Sequence, residues 1–332
     1  MSSSDVTTRW FEVLDESASM IAEKESTTYL DGLYFTAENI ASMEIQYGPR
    51  EELEKLYAPL YKLKTTPEEV RRAMQLALLK GMKGGVQAHH QMTPDAVALF
   101  MAYLVNQLRL PDGYSVLDPA VGTANLLTAL LNQTERKIGA AFGVEVDELL
   151  VKLAAANADL QQHEIELYHQ DSLRPLLIDP VDLIVADLPV GYYPDDENAK
   201  NFQLGAQEGR PFAHFLFIEK GLNHAKPGGY LLFLVPNNLF ESDRDKRLHK
   251  LIKDEAHILG FLQLPLSIFK NKEVAKSIML LQKKGEGIQP PKQALLAELP
   301  SFQDPKRMAS AIAHINRWFE ERRSEGARPA GN

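Results

Sequence analysis

Four short apolar runs in the middle of this 332-residue chain end in a carboxylate. The first closes at Asp118 and passes into Pro119-Ala120-Val121-Gly122-Thr123-Ala124-Asn125. The second closes at Glu145, ahead of Val146 and Asp147. Gln170-Asp171-Ser172 follows the third, and Asp187-Leu188-Pro189-Val190 ends the fourth. An acid where a strand turns into a helix usually caps that helix, its oxygen accepting from orphan backbone N–H groups. Four in succession, one beside a turn of small residues, point to contact with a ligand. In a doubly wound sheet the ligand lies beyond the carboxyl ends of the strands, where the strand order reverses.

The acids also select the ligand. A dinucleotide needs a Gly-x-Gly-x-x-Gly turn whose amides surround a pyrophosphate. This turn has one glycine, Gly122, and begins with Asp118, which repels phosphate. Such a set suits a cationic ligand without phosphate. S-adenosyl-L-methionine fits, with its sulfonium, ammonium, ribose and adenine. On this reading Gly122 lets the backbone approach the ligand and Glu145 accepts from the ribose hydroxyls. Asp171 accepts from the adenine amine, with Ser172 beside it.

Elements that position these residues are legible from periodicity. Residues 5–82 have helical apolar spacing, as in Leu53, Leu56, Tyr57 and Leu60. Thr66-Pro67-Glu68-Glu69 is a helix start, and Gly81, Gly84 and Gly85 end the helical stretch, placing a boundary near residue 85. Beyond it the pattern predicts strands over 115–118, 138–145, 165–168, 181–186, 229–235, 258–264 and 277–283. Helices are expected over 94–108, 125–132, 147–160, 211–225, 244–254 and 305–323. This alternation predicts an α/β fold with a mostly parallel sheet. Its last two strands are too close for a crossover and form an antiparallel hairpin.

These residues resemble class I methyltransferases, and among them the adenine-specific (amino-group) DNA methyltransferases. Asp118 to Asn125 is similar to the family's first motif. Gln91-Met92-Thr93-Pro94 resembles the segment that closes over the methionine end of the cofactor. Asp187-Leu188-Pro189-Val190 stands in place of the fourth motif, Asx-Pro-Pro-aromatic. Lys226 to Tyr230 and Leu234 to Phe240 resemble the fifth strand and its exit, and Leu264 to Ile278 the last two strands. The helical front resembles that of type I modification subunits. The resemblance implies a Rossmann-like, seven-stranded sheet with an antiparallel last strand over 86–284, an all-helical domain over 1–85 and a one-helix extension over 285–332. It implies cofactor contacts from Thr93, Asp118, Pro119, Ala120, Gly122, Asn125, Glu145, Val146, Asp171, Ser172 and Asp187.

It also implies transfer of a methyl group to an amino nitrogen, with adenine N6 in DNA as the leading substrate. Asp187 and the Leu188 carbonyl would hold that nitrogen, with Pro189 beside them. Three departures stand out. Ala124 replaces a second glycine, and its backbone is expected to be ordinary. Leu188 replaces a proline, losing rigidity. Val190 replaces the aromatic that stacks on a flipped base, a contact worth roughly 1–3 kcal/mol; Tyr192 or Tyr193 either takes that role or packs the loop. Two other readings stay open: a cofactor-binding protein acting through protein contacts with little catalysis, and methylation of a non-DNA amine or amide.

Composition sets limits. With no cysteine, disulfides, thiolate metal sites and thiol catalysis are excluded. No metal is expected; His89-His90 lacks a third ligand at useful spacing. No apolar run approaches the ~20 residues of a membrane span, so a cytoplasmic protein is expected. Net charge is −9. Residues 1–90 carry 10 basic and 14 acidic side chains, 91–240 carry 9 and 19, and 241–332 carry 17 and 12. Phosphate contacts dominate nucleic-acid affinity, so any grip on DNA is weak or comes from the C-terminal third, where Arg244, Lys246, Arg247, Lys250 and Lys253 form a basic run, or from a protein partner held by the helical domain. Phe212, Phe215 and Phe217 read as core.

Overall fold

In the computed structural model, residues 2–83, 92–205 and 209–325 are described. Gly84, Gly85, His89, His90 and Gln91 therefore lie outside the described residues. Four helices lead: α1 (Ser3–Glu25), α2 (Tyr29–Ser42), α3 (Arg50–Tyr57) and α4 (Pro67–Lys83). Then follow α5 (Asp95–Gln107), β1 (Tyr114–Asp118), α6 (Asn125–Gln133), β2 (Ile138–Glu145), α7 (Glu148–Leu160), β3 (Glu166–His169) and β4 (Val181–Asp187). The chain continues with α8 (Asp196–Ala199), α9 (Ala213–His224), β5 (Ala225–Pro236), α10 (Leu239–Ser242), α11 (Arg247–Glu255), β6 (Ala256–Gln263), β7 (Lys276–Lys283), β8 (Leu295–Glu298) and α12 (Pro305–Glu325).

The sheet order is β3-β2-β1-β4-β5-β7-β6-β8, reversing between β1 and β4. β7 pairs antiparallel with both β5 and β6, as the short connection requires. Eight strands form where seven are expected: β8 adds in parallel to β6, with Gly260 opposite Leu295. Short helices α8 and α10 are likewise additions. The basic helix starts at Arg247 and not Arg244, because Lys246 is left-handed at φ 56° and Asp243 accepts from the amides of Leu248 and His249.

Contacts divide the chain into two compact units. One comprises Met1–Ala102, Val121–Thr134 and Ala140–Asp171. Its helices start on reciprocal caps, Ser2 with Asp5 and Thr28 with Asp31, and Glu69 returns to the Thr66 amide at 2.8 Å. Helices α1 and α2 approach closely at Gly32, where a Cβ would stand 2.3 Å from the Ala18 carbonyl oxygen. Val13, Leu14, Ile21, Leu33, Leu53, Met74 and Leu78 are fully buried in one core, and Leu150 and Leu153 of α7 belong to it. The N-terminal helices thus share a core with a helix of the α/β pattern. The other unit comprises Tyr103–Ala120, Glu135–Gly139 and Ser172–Asn332. Its center is β4, β5 and β7, whose Leu183, Ile184, Leu231, Leu232, Phe233, Met279 and Leu280 are fully buried.

Candidate active site

The turn after β1 is built from its own backbone. Asp118 is 1% exposed, and its Oδ1 accepts from the Ala120 amide at 3.0 Å. Gly122 is left-handed at φ 55°, and among the described residues nothing stands within 4 Å of where its Cβ would lie. Open space at a left-handed glycine is what close approach of a ligand to backbone requires. Ala124, N-cap of α6, is also left-handed at φ 61° and ψ 17°, not ordinary as expected. The turn thus carries a methyl in a conformation that favors glycine.

Glu145 is held beneath this turn. Its Oε2 accepts from the Gly122 amide at 3.0 Å, and its Oε1 accepts from the amides of Val146 and Asp147, each at 2.9 Å. A carboxylate offers about four acceptor positions, so one remains for a hydroxyl. The Val146 side chain is exposed. Half-buried Asp171 follows Gln170, whose amide donates to the Glu145 carbonyl at 3.0 Å. The helix-cap explanation applies to Asp147, which caps α7 through the amides of Leu149 and Leu150. It applies to none of Asp118, Glu145, Asp171 and Asp187. The acceptor position left on Glu145 and the open space at Gly122 fit a ligand that brings hydroxyl groups to this turn, as S-adenosylmethionine would.

Other expected contacts have protein partners. The Ser172 hydroxyl donates to the Pro119 carbonyl. Asn125 donates to the Thr93 carbonyl at 3.2 Å and accepts from Arg71 at 2.9 Å, so both ends of its amide are engaged. Arg71, unremarked in the sequence, is fully buried and pairs with Glu68 through two bonds of 2.7 Å and with Asp95. Burial pulls its pKa down, but these carboxylates outweigh that and raise it. This set ties α4 to the first turns of α5 and α6.

The end of β4 holds a second cluster. Asp187 pairs in register with Leu234 of β5, and the Leu188 amide donates to the Leu234 carbonyl at 3.2 Å. The Leu188 side chain is fully buried. Because β7 is antiparallel, its first residue, Lys276, lies at the carboxyl end of β5, opposite Pro236. From there its Nζ donates to Asp187 Oδ1 and to the Leu188 carbonyl, the latter at 3.4 Å. Lys276 carried no signal in the sequence, which places it in the connection just before the strand expected over 277–283.

Tyr193 packs the loop: it is 6% exposed, and its hydroxyl accepts from Asn198 at 2.9 Å. Tyr192 is 63% exposed and stacks on Phe212, with centroids 4.9 Å apart and planes at 15°. Phe212 also stacks on His214 at 5.2 Å, so it belongs to this aromatic group and not to the core with Phe215 and Phe217. His214 is buried, and neither ring nitrogen has a hydrogen-bond partner among the described residues. Burial, and then the charge of Lys276, push its imidazole down to about 4. Val190 and Pro189 are exposed.

A sequence profile of the N-6 DNA methylase family matches residues 81–321. The chain belongs to this family. A second profile, the YtxK N-terminal helical domain, matches residues 8–82. The protein YtxK of Bacillus subtilis (strain 168) is 46% identical over 318 residues, covering 94% of this chain and 97% of that one. A structure from Listeria monocytogenes, described as a class I S-adenosylmethionine-dependent methyltransferase, superposes with a TM-score of 0.87 at 45% identity, covering 95% of this chain and 99% of that one. A type I modification subunit from Vibrio vulnificus shares the fold at a TM-score of 0.64 and 18% identity, covering 82% and 62%. The fold is that of class I methyltransferases. Among the described residues no helix is long and apolar enough to cross a membrane, and no group of three or more His, Cys, Asp or Glu residues is arranged to hold a metal ion.

Proposed function

We propose that this protein is an S-adenosylmethionine-dependent methyltransferase acting on an amino nitrogen, with adenine N6 in DNA as its leading substrate. One observation carries the choice of an amine. Asp187 and the Leu188 carbonyl converge on a single nitrogen, that of Lys276. Two acceptors that meet at one nitrogen are what an amino group with two hydrogens needs. Asp118, Gly122, Glu145 and Asp171 are the proposed cofactor contacts, and the Ser172 hydroxyl and the Asn125 side-chain amide, through their bonds to the Pro119 and Thr93 carbonyls, support the same turns.

When bound, the cofactor supplies an electrophilic methyl carbon on a sulfonium. The protein's work is positioning, which dominates an in-line displacement. An aromatic amine is a poor nucleophile because its lone pair is delocalized into the ring. Asp187 and the Leu188 carbonyl accept its two hydrogens and turn the lone pair toward the methyl carbon. Asp187 would accept the proton that the amino nitrogen sheds once it has taken the methyl group in place of the departing thioether. Tyr192, on its Phe212 support, is the exposed ring available to a base.

The DNA assignment draws on the family and on the relatives: a type I restriction enzyme EcoEI methylase subunit from Escherichia coli is 26% identical over 280 residues, with this chain spanning 56% of its length. The test is transfer of labeled methyl groups to DNA, RNA and protein fractions, alongside calorimetry with S-adenosylhomocysteine. Label entering DNA and lost in Asp187→Ala, with cofactor affinity kept within a few-fold, is expected. Label entering only protein would replace the substrate. Cofactor binding with no transfer to any fraction would favor a binding protein that acts through its helical segment.

A further inference from the structure

The acceptor pair at the end of β4 already holds an amine, and that amine belongs to the protein. Lys276 Nζ sits on Asp187 Oδ1 and on the Leu188 carbonyl. Its side chain is 20% exposed and that of Asp187 16%, so the pair is largely shielded from water. An ammonium on a carboxylate is a stronger partner than the neutral amine of an aromatic ring. It carries no lone pair while protonated, so it occupies the site without being a nucleophile. A substrate amine has to take these acceptors from Lys276.

The charge of Lys276 also reaches a buried imidazole. His214 is buried with both ring nitrogens unpartnered among the described residues, and it senses the charge of Lys276. A buried nitrogen without a partner is uncommon and calls for a physical reason. A neutral imidazole nitrogen is an acceptor for an ammonium. Tyr192 and Phe212, stacked against each other and through Phe212 against His214, carry this aromatic group to the surface.

We propose that Lys276 is a specificity-determining gate on the amine site, seated on Asp187 and Leu188 at rest and displaced when a substrate amine takes those acceptors. This rests on the reading of Asp187 and Leu188 as the amine acceptors. It gives the site a rule: an amine enters only if the rest of the substrate supplies enough binding energy to move Lys276. The stacking lost at Val190 makes that harder for an isolated base.

The test uses the full chain saturated with S-adenosylhomocysteine. Two probes differ only in the amino group: 9-methyladenine and 9-methylpurine, titrated by ligand-observed NMR. The wild type is expected to bind both within about twofold. Lys276→Met and Lys276→Ala are expected to bind 9-methyladenine about tenfold more tightly than 9-methylpurine, the scale of one hydrogen bond to a charged group. Adding Asp187→Ala to Lys276→Met is expected to erase that preference. A lysine variant that binds S-adenosylhomocysteine normally yet shows no preference for 9-methyladenine, or none of its binding, overturns the gate. So does a wild type that already prefers 9-methyladenine tenfold. Failure of the wild type to bind S-adenosylhomocysteine at all overturns the parent reading instead.

Discussion

Ala124 shows what a single methyl does in a turn built for glycine. Its φ of 61° costs an alanine about 1–2 kcal/mol that glycine does not incur. Glycine loses about 0.4–1 kcal/mol through its freer unfolded chain. Ala124→Gly is therefore expected to stabilize the protein by about 0.5–1 kcal/mol, read as a higher urea midpoint at unchanged slope. A lower midpoint would mean that the methyl packs better than its backbone suffers. His214 gives a second expectation at this scale. Its folded pKa, about 4, lies below the usual 6.5, so the unfolded chain binds the extra proton between those values. Stability is then full above pH 6.5 and lost as pH falls toward 4, by about 3 kcal/mol for this group. His214→Phe is expected to flatten that part of the stability–pH curve; an unchanged slope between pH 6.5 and 4 would show that other groups set it.

At the scale of elements, the sequence was informative where burial is one-sided or complete. The apolar runs at 115–118, 138–145 and 181–186 read as strands because buried parallel strands carry no polar alternation. β8 escaped because only Leu295 of its four residues is buried, while Leu296 is 67% exposed. At the site, the acids and Gly122 were legible because strand ends and turns have residue-type signatures. Lys276 and His214 were not, since each acts through pairing across strands or packing between elements that no local pattern encodes. Arg71 was hidden for the same reason: on an amphipathic helix an arginine reads as solvated. Its removal in Arg71→Met leaves Glu68 and Asp95 without their shared cation, though both carboxylates are partly exposed. A loss of about 2–4 kcal/mol is expected, somewhat under the scale for a fully buried pair. Chemical denaturation measures it, and a loss under 1 kcal/mol would mean that the set orders the turns without stabilizing them.

Over the whole molecule, the helical front is more than an attached module. Its core includes Leu150 and Leu153 of α7, and Arg71 reaches from α4 to Asn125 at the start of α6. A chain beginning at residue 84 would expose the α7 face that those leucines present. At about 25 cal/mol per Å² of apolar surface, even a few hundred Å² left in water costs several kcal/mol, comparable with the net stability of a domain. The 84–332 fragment is therefore expected to be aggregated when expressed alone, and recovered in soluble form when residues 1–83 are supplied as a separate chain. Recovery should fail with a 1–83 fragment carrying Leu33→Asp and Met74→Asp, which spoils the shared core. A soluble 84–332 fragment with a cooperative unfolding transition of its own would show that α6 and α7 are stable without the helices, and that the front serves only to bind something else.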